Sequence, residues 1–396
     1  MDRIVITGYG VKTPGGSNVA HFKNSLESGS HGLELFNGLG PNKETMICGA
    51  AREDLDEIIG SEYIKYPRVT KLALAASEEA VEMAGLKDNL DNDTAVFMAT
   101  ASGTIDESER IIYSMNNGER QRVNMLGMMY YHGLASSISG HFKLNGISRT
   151  LTCGCSASLE ALQDAILHLK SGLVKTCIVG GSDSSFGDSI VTSMKNIRAI
   201  SFSGEFDNYG VPFSKKSKGF VISETAAVVV LELESEAIRR GANILGVVEE
   251  VRSNNDGKGM FSSEKTGKNL LNLINQTLKE DIPTYINSQG LGLKENDLIE
   301  INNYKSIVKN NECPITSIKG ITGHPFGASG ILQLVSSLIS IEFGFIPKIV
   351  RLNREDVYDT DVNYVFDTIH KEISNVLITS HGYGGNNSVA LISKYK

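Results

Sequence analysis

Cys155 lies in the run Ser148-Arg149-Thr150-Leu151-Thr152-Cys153-Gly154-Cys155-Ser156-Ala157-Ser158-Leu159, where β-propensity gives way to a glycine turn and at once to an apolar pattern. Leu159, Leu162, Ala165, Ile166 and Leu169 recur at helical spacing. A thiol at such a junction sits at the positive end of a helix, where the dipole and free backbone N–H groups favour its thiolate. The same N–H groups can hold the oxyanion of an acyl-transfer intermediate. The competing expectation is a small buried core cysteine. A second run, Lys319-Gly320-Ile321-Thr322-Gly323-His324-Pro325-Phe326-Gly327-Ala328-Ser329-Gly330, sets one Lys and one His five residues apart in a glycine-rich frame. An imidazole there can donate to a thioester carbonyl or take a proton from a thiol, or it can simply be satisfied by backbone carbonyls in a turn. The third run is Ser380-His381-Gly382-Tyr383-Gly384-Gly385-Asn386-Asn387-Ser388. An aromatic flanked by glycines can swing, so Tyr383 and Gly384 are candidates for a gate and for an oxyanion donor; the alternative is a glycine-rich hairpin turn.

These segments need rigid elements to bring them together, and the composition provides for them. The chain has 396 residues, with 41% hydrophobic and 21% charged, enough for a sizeable core in two domains or one duplicated domain. It carries 40 Gly but only 8 Pro, which favours tight strand–helix turns over linkers. A net charge of −8 without a dense basic block argues against nucleic acid. The cysteines are Cys48, Cys153, Cys155, Cys177 and Cys313: an odd number, scattered, with Met1-Asp2-Arg3 running directly into a strand-like Ile4-Val5-Ile6-Thr7. A reduced, cytoplasmic setting is expected. No second Cys or His pair stands at zinc-like spacing from Cys153 and Cys155, so no metal is expected. The apolar stretch 331–350 contains Glu342, Ser336, Ser337 and Ser340. It is predicted to be a buried helix over 330–343 and a strand over 346–352, not a membrane span.

Strands are predicted over 3–7, 94–99, 176–180, 225–233, 244–251, 298–302 and 376–379. Helices are predicted over 70–84, 156–171, 267–278 and 327–341. This alternation indicates an α/β chain with largely buried sheets. Each half repeats a strand, a glycine turn, a reactive side chain and a long apolar helix: Cys155 in the first, His324 in the second. A duplicated unit is expected, with the halves meeting near residues 234–243 and the two reactive groups facing each other across a pseudo-twofold axis.

Taken together, the segments resemble the β-ketoacyl carrier-protein synthases of the elongating, thiolase-like type. The resemblance covers essentially the whole chain. It opens at Val5-Ile6-Thr7-Gly8-Tyr9-Gly10-Val11 and continues through the cysteine turn and Val179-Gly180-Gly181-Ser182-Asp183. It includes Pro212-Phe213, Gly219-Phe220-Val221, Glu224 and Ala226, and closes with Lys319 to Gly330 and Gly382 to Asn387. It implies a five-layer αβαβα fold of two similar halves, 1–236 with the nucleophilic cysteine and 237–396 with the catalytic histidine and gate loop, and a dimer. It implies acyl transfer from a phosphopantetheine or coenzyme A thioester to Cys155, then condensation with malonyl-carrier protein. No resident cofactor is implied. His324 matches a catalytic histidine, Lys319 the active-site lysine, and Tyr383 the place of a gating phenylalanine.

Four departures stand out. Where the family carries Asn-x-His-Gly-Thr-x-Thr, this chain has Asn287-Ser288-Gln289-Gly290-Leu291-Gly292-Leu293, with Asp297 and Glu300 following at the expected offsets as a supporting network. Gln289 thus replaces the first histidine, and Leu291 and Leu293 replace two threonines that would hold the pantetheine arm. Gln333 stands where a glutamate accompanies the lysine. Ser223-Glu224-Thr225 replaces Gly-Glu-Gly. An amide can donate a hydrogen bond but cannot titrate. The expectation is an acyltransferase that loads Cys155 in fatty-acid or polyketide-type biosynthesis, with decarboxylative condensation impaired or specialised. The alternatives are a non-catalytic, chain-length-factor-like partner of a ketosynthase heterodimer, and a thiolase-type enzyme using coenzyme A directly. Expected partners are an acidic acyl carrier protein, met by Lys215, Lys216 and Lys218 with Arg120 and Arg122, and a second ketosynthase chain, identical or different.

Overall fold

The computed structural model describes residues 2–52, 55–200, 205–260, 262–279, 282–308 and 312–396. Two sets of five strands share one topology. In space the first runs Ser148–Leu151, Ala95–Ala99, Thr176–Asp183, Thr225–Leu233, Ile4–Lys12; the second runs Ile315–Thr316, Tyr285–Asn287, Asn375–His381, Asn386–Ser393, Gly246–Asn255. Both read 3-2-4-5-1 in chain order. In both, the first three strands are parallel and the next two antiparallel to their neighbours. The two sets join edge to edge, Ile4 opposite Val248 and Ile6 opposite Gly246. The duplication expected from the echo of strand, turn and helix is therefore present in the backbone.

Helices Ala157–Lys170 and Ser329–Phe343 form the central layer and touch strands of both sets. Outer layers are built by Arg68–Met83 against one set and Lys268–Leu278 against the other. The αβαβα layering follows from where apolar side chains lie. A central core includes Leu159, Leu162, Leu334 and Leu338, and separate outer cores gather around Leu72 and Ala76 on one side and Leu273 and Ile274 on the other. Segment Phe326–Phe343 is long and apolar enough to cross a membrane, but 89% of it is buried inside the protein, as a core helix.

Two predicted strands are wrong. Residues 298–302 lie inside helix Lys294–Ile307. Asp297, Glu300, Ile301, Asn303 and Tyr304 are its buried positions, which is helical spacing. Of 346–352 only Phe345–Ile346 is strand; the run beyond packs as irregular chain, with Ile349 and Leu352 in an outer core.

Close approach between the halves depends on small residues. A Cβ on Gly181 would lie 2.8 Å from Ala328 Cα and 3.0 Å from Ser158 Cβ. Gly181→Ala is expected to destabilise by about 1–3 kcal/mol and to push the His324 segment off the Cys155 helix. Denaturant unfolding measures the first effect, and a changed rate of Cys155 alkylation by iodoacetamide the second. An unchanged unfolding midpoint would contradict this packing.

Candidate active site

Cys155 and His324 follow the third strand of their respective sets, and Gln289 follows the second strand of its set. Side chains at the carboxyl ends of parallel strands converge by construction. Here two such ends meet. Cys155 Sγ lies 3.2 Å from His324 Nε2. Cys155 sits in the short turn Gly154–Ser156 that opens helix Ala157–Lys170, with Gly154 at φ +67°. The glycine loop presses directly on it: a Cβ on Gly382 would stand 3.0 Å from the Cys155 nitrogen, so only glycine fits without displacement. That approach turns the N–H of Tyr383, together with that of Cys155 itself, toward the sulfur. The Tyr383 ring is 54% exposed, outside the site. Gly384 is left-handed, at φ +85°, and its carbonyl accepts from Asn255 Nδ2, which anchors the loop.

The thiol differs from expectation. Burial pushes it up to about 12, and Asp183 adds to this, while Lys319 and the two backbone N–H groups pull the other way. The thiolate is therefore not the resting form: desolvation outweighs the helix end. His324 is lowered well below the ordinary imidazole range by burial, then by Lys319 and His381. Both partners rest neutral. Ser329 Oγ lies 3.2 Å from His324 Nδ1, and a hydroxyl can give or take that bond, so the ring can carry its hydrogen on either nitrogen. Backbone bonds from His324 N–H to Val221 O at 2.7 Å and from Ser223 N–H to His324 O at 3.2 Å fix the imidazole.

Lys319 is buried, and its Nζ is 3.4 Å from Gln333 Oε1. Gln333 spends its amide hydrogens on the Asn287 and Thr379 carbonyls. It accepts from the lysine without neutralising it. Burial pushes Lys319 down to about 8, against the pull of Glu300 and Cys155. Gln289 is fully buried; its Nε2 donates to the His381 carbonyl at 2.8 Å, and its Oε1 lies 3.0 Å from Ser380 Oγ, which is equally 3.0 Å from the Cys155 carbonyl. One amide hydrogen of Gln289 is thus committed to the backbone.

Asp297 and Glu300 hold the Gln289 loop. Asp297 accepts from the N–H groups of Phe213, Leu291 and Gly292; burial nevertheless pushes it up to about 7. Glu300 accepts from Ser288 Oγ, Thr379 Oγ1 and Tyr304 Oη, and from the N–H groups of Gln289 and Gly290. Leu291, with Leu293 beside it, joins an apolar cluster with Phe220, Ile222 and Phe326. Cys155, His324, Lys319, Gln333, Gln289, Asp297 and Glu300 are thus linked through direct contacts, while Gly384 and the Tyr383 backbone lie in the loop against Cys155 and the Tyr383 side chain is exposed. Of the basic residues expected to meet a carrier, Lys216 is ion-paired with Asp356 at 2.9 Å, while Lys215 and Lys218 are exposed.

Asp183, Ser329, Ser380 and His381 belong to the site and were not singled out from the sequence. Asp183 is buried, and accepts from Thr100, Ala101 and Ser102 of its own half and from the N–H of Gly327 of the other, at 2.7 Å. Its position at the end of Val179-Gly180-Gly181-Ser182-Asp183, a strand closing on small residues, was the available signal.

The Lys319 environment has a measurable consequence. Below pH 8 the folded protein holds a buried ammonium at a cost. Between about 8 and the ordinary 10.5 the folded state has lost a proton that the unfolded chain keeps, so stability rises with pH across that window. Lys319→Met is expected to stabilise by about 2–4 kcal/mol at pH 7, and the gain should fall by more than half by about pH 9.5. Urea unfolding of both proteins at the two pH values measures it; a gain independent of pH would refute the buried charge.

Comparison with known proteins follows the geometry. Residues 1–237 match the model for the β-ketoacyl synthase N-terminal domain, and 245–353 that for the C-terminal domain. Among curated relatives, the tetracenomycin polyketide synthase ketoacyl synthase alpha subunit of Streptomyces glaucescens is 26% identical, over 100% of this chain and 97% of that protein. The 3-oxoacyl-[acyl-carrier-protein] synthase 1 of Escherichia coli (strain K12) is 23% identical over 100% of both. Among solved structures, a type II polyketide synthase acyl-carrier protein in complex with its ketosynthase bound to the hexaketide superposes with a TM-score of 0.90 at 24% identity. The ishigamide ketosynthase/chain length factor does so with 0.90 at 22%, each match covering 100% of both chains. These likenesses carry the thiolase-like fold, and the two domain models, which between them span most of the chain, carry the family: the chain belongs to the β-ketoacyl synthases.

Proposed function

We propose that this protein is an acyl-transferring ketosynthase that loads an acyl group from a carrier-protein or coenzyme A thioester onto Cys155 and passes it on in fatty-acid or polyketide-type biosynthesis. The observation that carries the reading is the 3.2 Å contact between Cys155 Sγ and a neutral His324 Nε2, under two converging backbone N–H groups. A thiol raised by burial needs a base within reach, and this contact supplies one. In the loading step Sγ attacks the thioester carbonyl as its proton passes to His324 Nε2. The oxyanion sits against the N–H groups of Cys155 and Tyr383. Collapse breaks the bond to the carrier's sulfur, which takes the proton back from His324. The reaction balances as acyl exchange between two thiols and needs no resident cofactor.

Large exposed apolar side chains gather in one stretch of the first half: Ile112, Tyr113, Met115, Val123, Leu126 and Tyr130. That exposure supports a dimer, as in a homodimeric synthase or a heterodimer. A structural neighbour is a ketosynthase/chain length factor, so the partner-subunit alternative is tested by the same experiment. Intact-mass measurement after incubation with acyl thioesters is expected to show one acyl adduct on the wild type and none on Cys155→Ala. His324→Ala should load roughly 10²–10⁴-fold more slowly. A wild type that stays unmodified, or an adduct that survives in Cys155→Ala, removes the acyl-transfer reading and leaves the non-catalytic partner.

A further inference from the structure

His381 ends strand Asn375–His381, one residue before Gly382 presses on Cys155 and two before Tyr383 turns its N–H to the sulfur. The residue is 6% exposed, and its Nε2 is buried without a hydrogen-bond partner among the described residues. The loading chemistry does not use it. An orphaned polar atom at this depth is destabilising and calls for a reason.

Its neighbours define what the ring can do. Glu300 Oε1 lies 3.8 Å from Nε2. That oxygen already receives Thr379, Tyr304 and the Gln289 N–H, which accounts for the missing bond. Gln289 Nε2 donates to the His381 carbonyl, so amide and imidazole are adjacent. His381 adjoins Gly382, which packs on Cys155, so its imidazole hangs from the strand end that borders the Cys155–His324 pair. With Nε2 toward Glu300, Nδ1 lies on the opposite side of the ring, and one neutral tautomer of an imidazole carries its hydrogen there.

We propose that His381 is a catalytic residue, the second imidazole of the site, donating to a thioester oxygen from a strand end where Gln289 offers only an amide already tied to the backbone. This rests on the ketosynthase reading and names the second substrate as a malonyl-type thioester, one with a carboxylate on the α-carbon. In the step concerned, the bond from the α-carbon to the carboxylate breaks and carbon dioxide leaves. The electron pair forms an enolate, whose oxygen accepts hydrogen bonds from His324 Nε2–H and His381 Nδ1–H without proton transfer. The enolate pair then bonds to the acyl carbon on Cys155, the carbon–sulfur bond breaks, and its pair returns to the sulfur.

The test measures carbon dioxide release from malonyl-pantetheine by wild type, His381→Phe, His381→Gln and the double variant Gln289→His/His381→Phe. Cys155 acylation by an acyl thioester and the thermal midpoint are followed separately. Loss of one oxyanion donor is expected to slow decarboxylation by roughly 10²-fold in both single variants, with a much smaller change in acylation and recovery in the double variant. The proposal is overturned if wild type releases no carbon dioxide or if either single variant keeps the wild-type rate. It is equally overturned if decarboxylation, acylation and thermal midpoint fall together, which marks a structural role. Failure of wild-type acylation alone would remove the acyl-transfer reading and leave carbon dioxide release to decide the role of His381.

Discussion

The site depends on one uncharged pair, a thiol and an imidazole held 3.2 Å apart where the two halves meet. Burial disfavours charge on both: it pushes the thiol up to about 12 and the imidazole well down. A pair that rests neutral costs little to bury, whereas a preformed thiolate–imidazolium pair would have to offset the desolvation of two ions. Backbone, not side-chain charge, fixes the geometry. The Gly382 contact seats the loop on Cys155, and the Val221–His324–Ser223 backbone bonds seat the ring. A proton must therefore move from the thiol to the imidazole before the sulfur can act as a nucleophile.

The duplicated topology explains which residues surround that pair. Asp183 and His381 each end the fourth strand of their set, so they are topological counterparts. In the first half that position carries a carboxylate saturated by hydrogen bonds, one of them reaching across to Gly327. In the second it carries an imidazole facing Glu300. The same backbone location thus serves as a tie between halves in one case and remains chemically free in the other. A fold built twice offers each strand end twice, and the two copies can diverge once only one is needed for attachment.

Much of this was legible in the residues. The Cys155 turn, the Lys319–Gly330 run and the Gly382–Asn387 loop each announce a strand ending in a glycine turn, and the structure brings all three together. The periodicity of 157–170 and 268–278 located those helices closely. Residues 298–302 misled because buried Asp297 and Glu300 look like solvent-facing positions; their burial follows from backbone and hydroxyl donors distant in the chain, such as Thr379, 79 residues from Glu300, and Phe213, 84 residues from Asp297. The thiol's protonation was misjudged for the same reason: a helix start is visible locally, whereas desolvation is set by tertiary packing. Ser329 and His381 were quoted within motifs but had no local pattern to mark them.

Three of the four departures from the family pattern share a physical direction, the exception being Ser223-Glu224-Thr225, which adds hydroxyls. Gln289 and Gln333 replace groups that titrate with amides that do not, and Leu291 and Leu293 replace hydroxyls with hydrocarbon packed against Phe220 and Phe326. The Gln289 side of the site therefore has fewer mobile protons and less polar surface than the family pattern, while the Cys155 side keeps its thiol, imidazole and backbone donors. Gln333 accepts from Lys319 as a neutral amide, while Glu300 favours charge on Lys319 and lies 3.8 Å from His381 Nε2. Glu300 also accepts from the N–H groups of Gln289 and Gly290, so one buried side chain ties the Gln289 loop to the surroundings of both Lys319 and His381, and a change there would disturb all three at once.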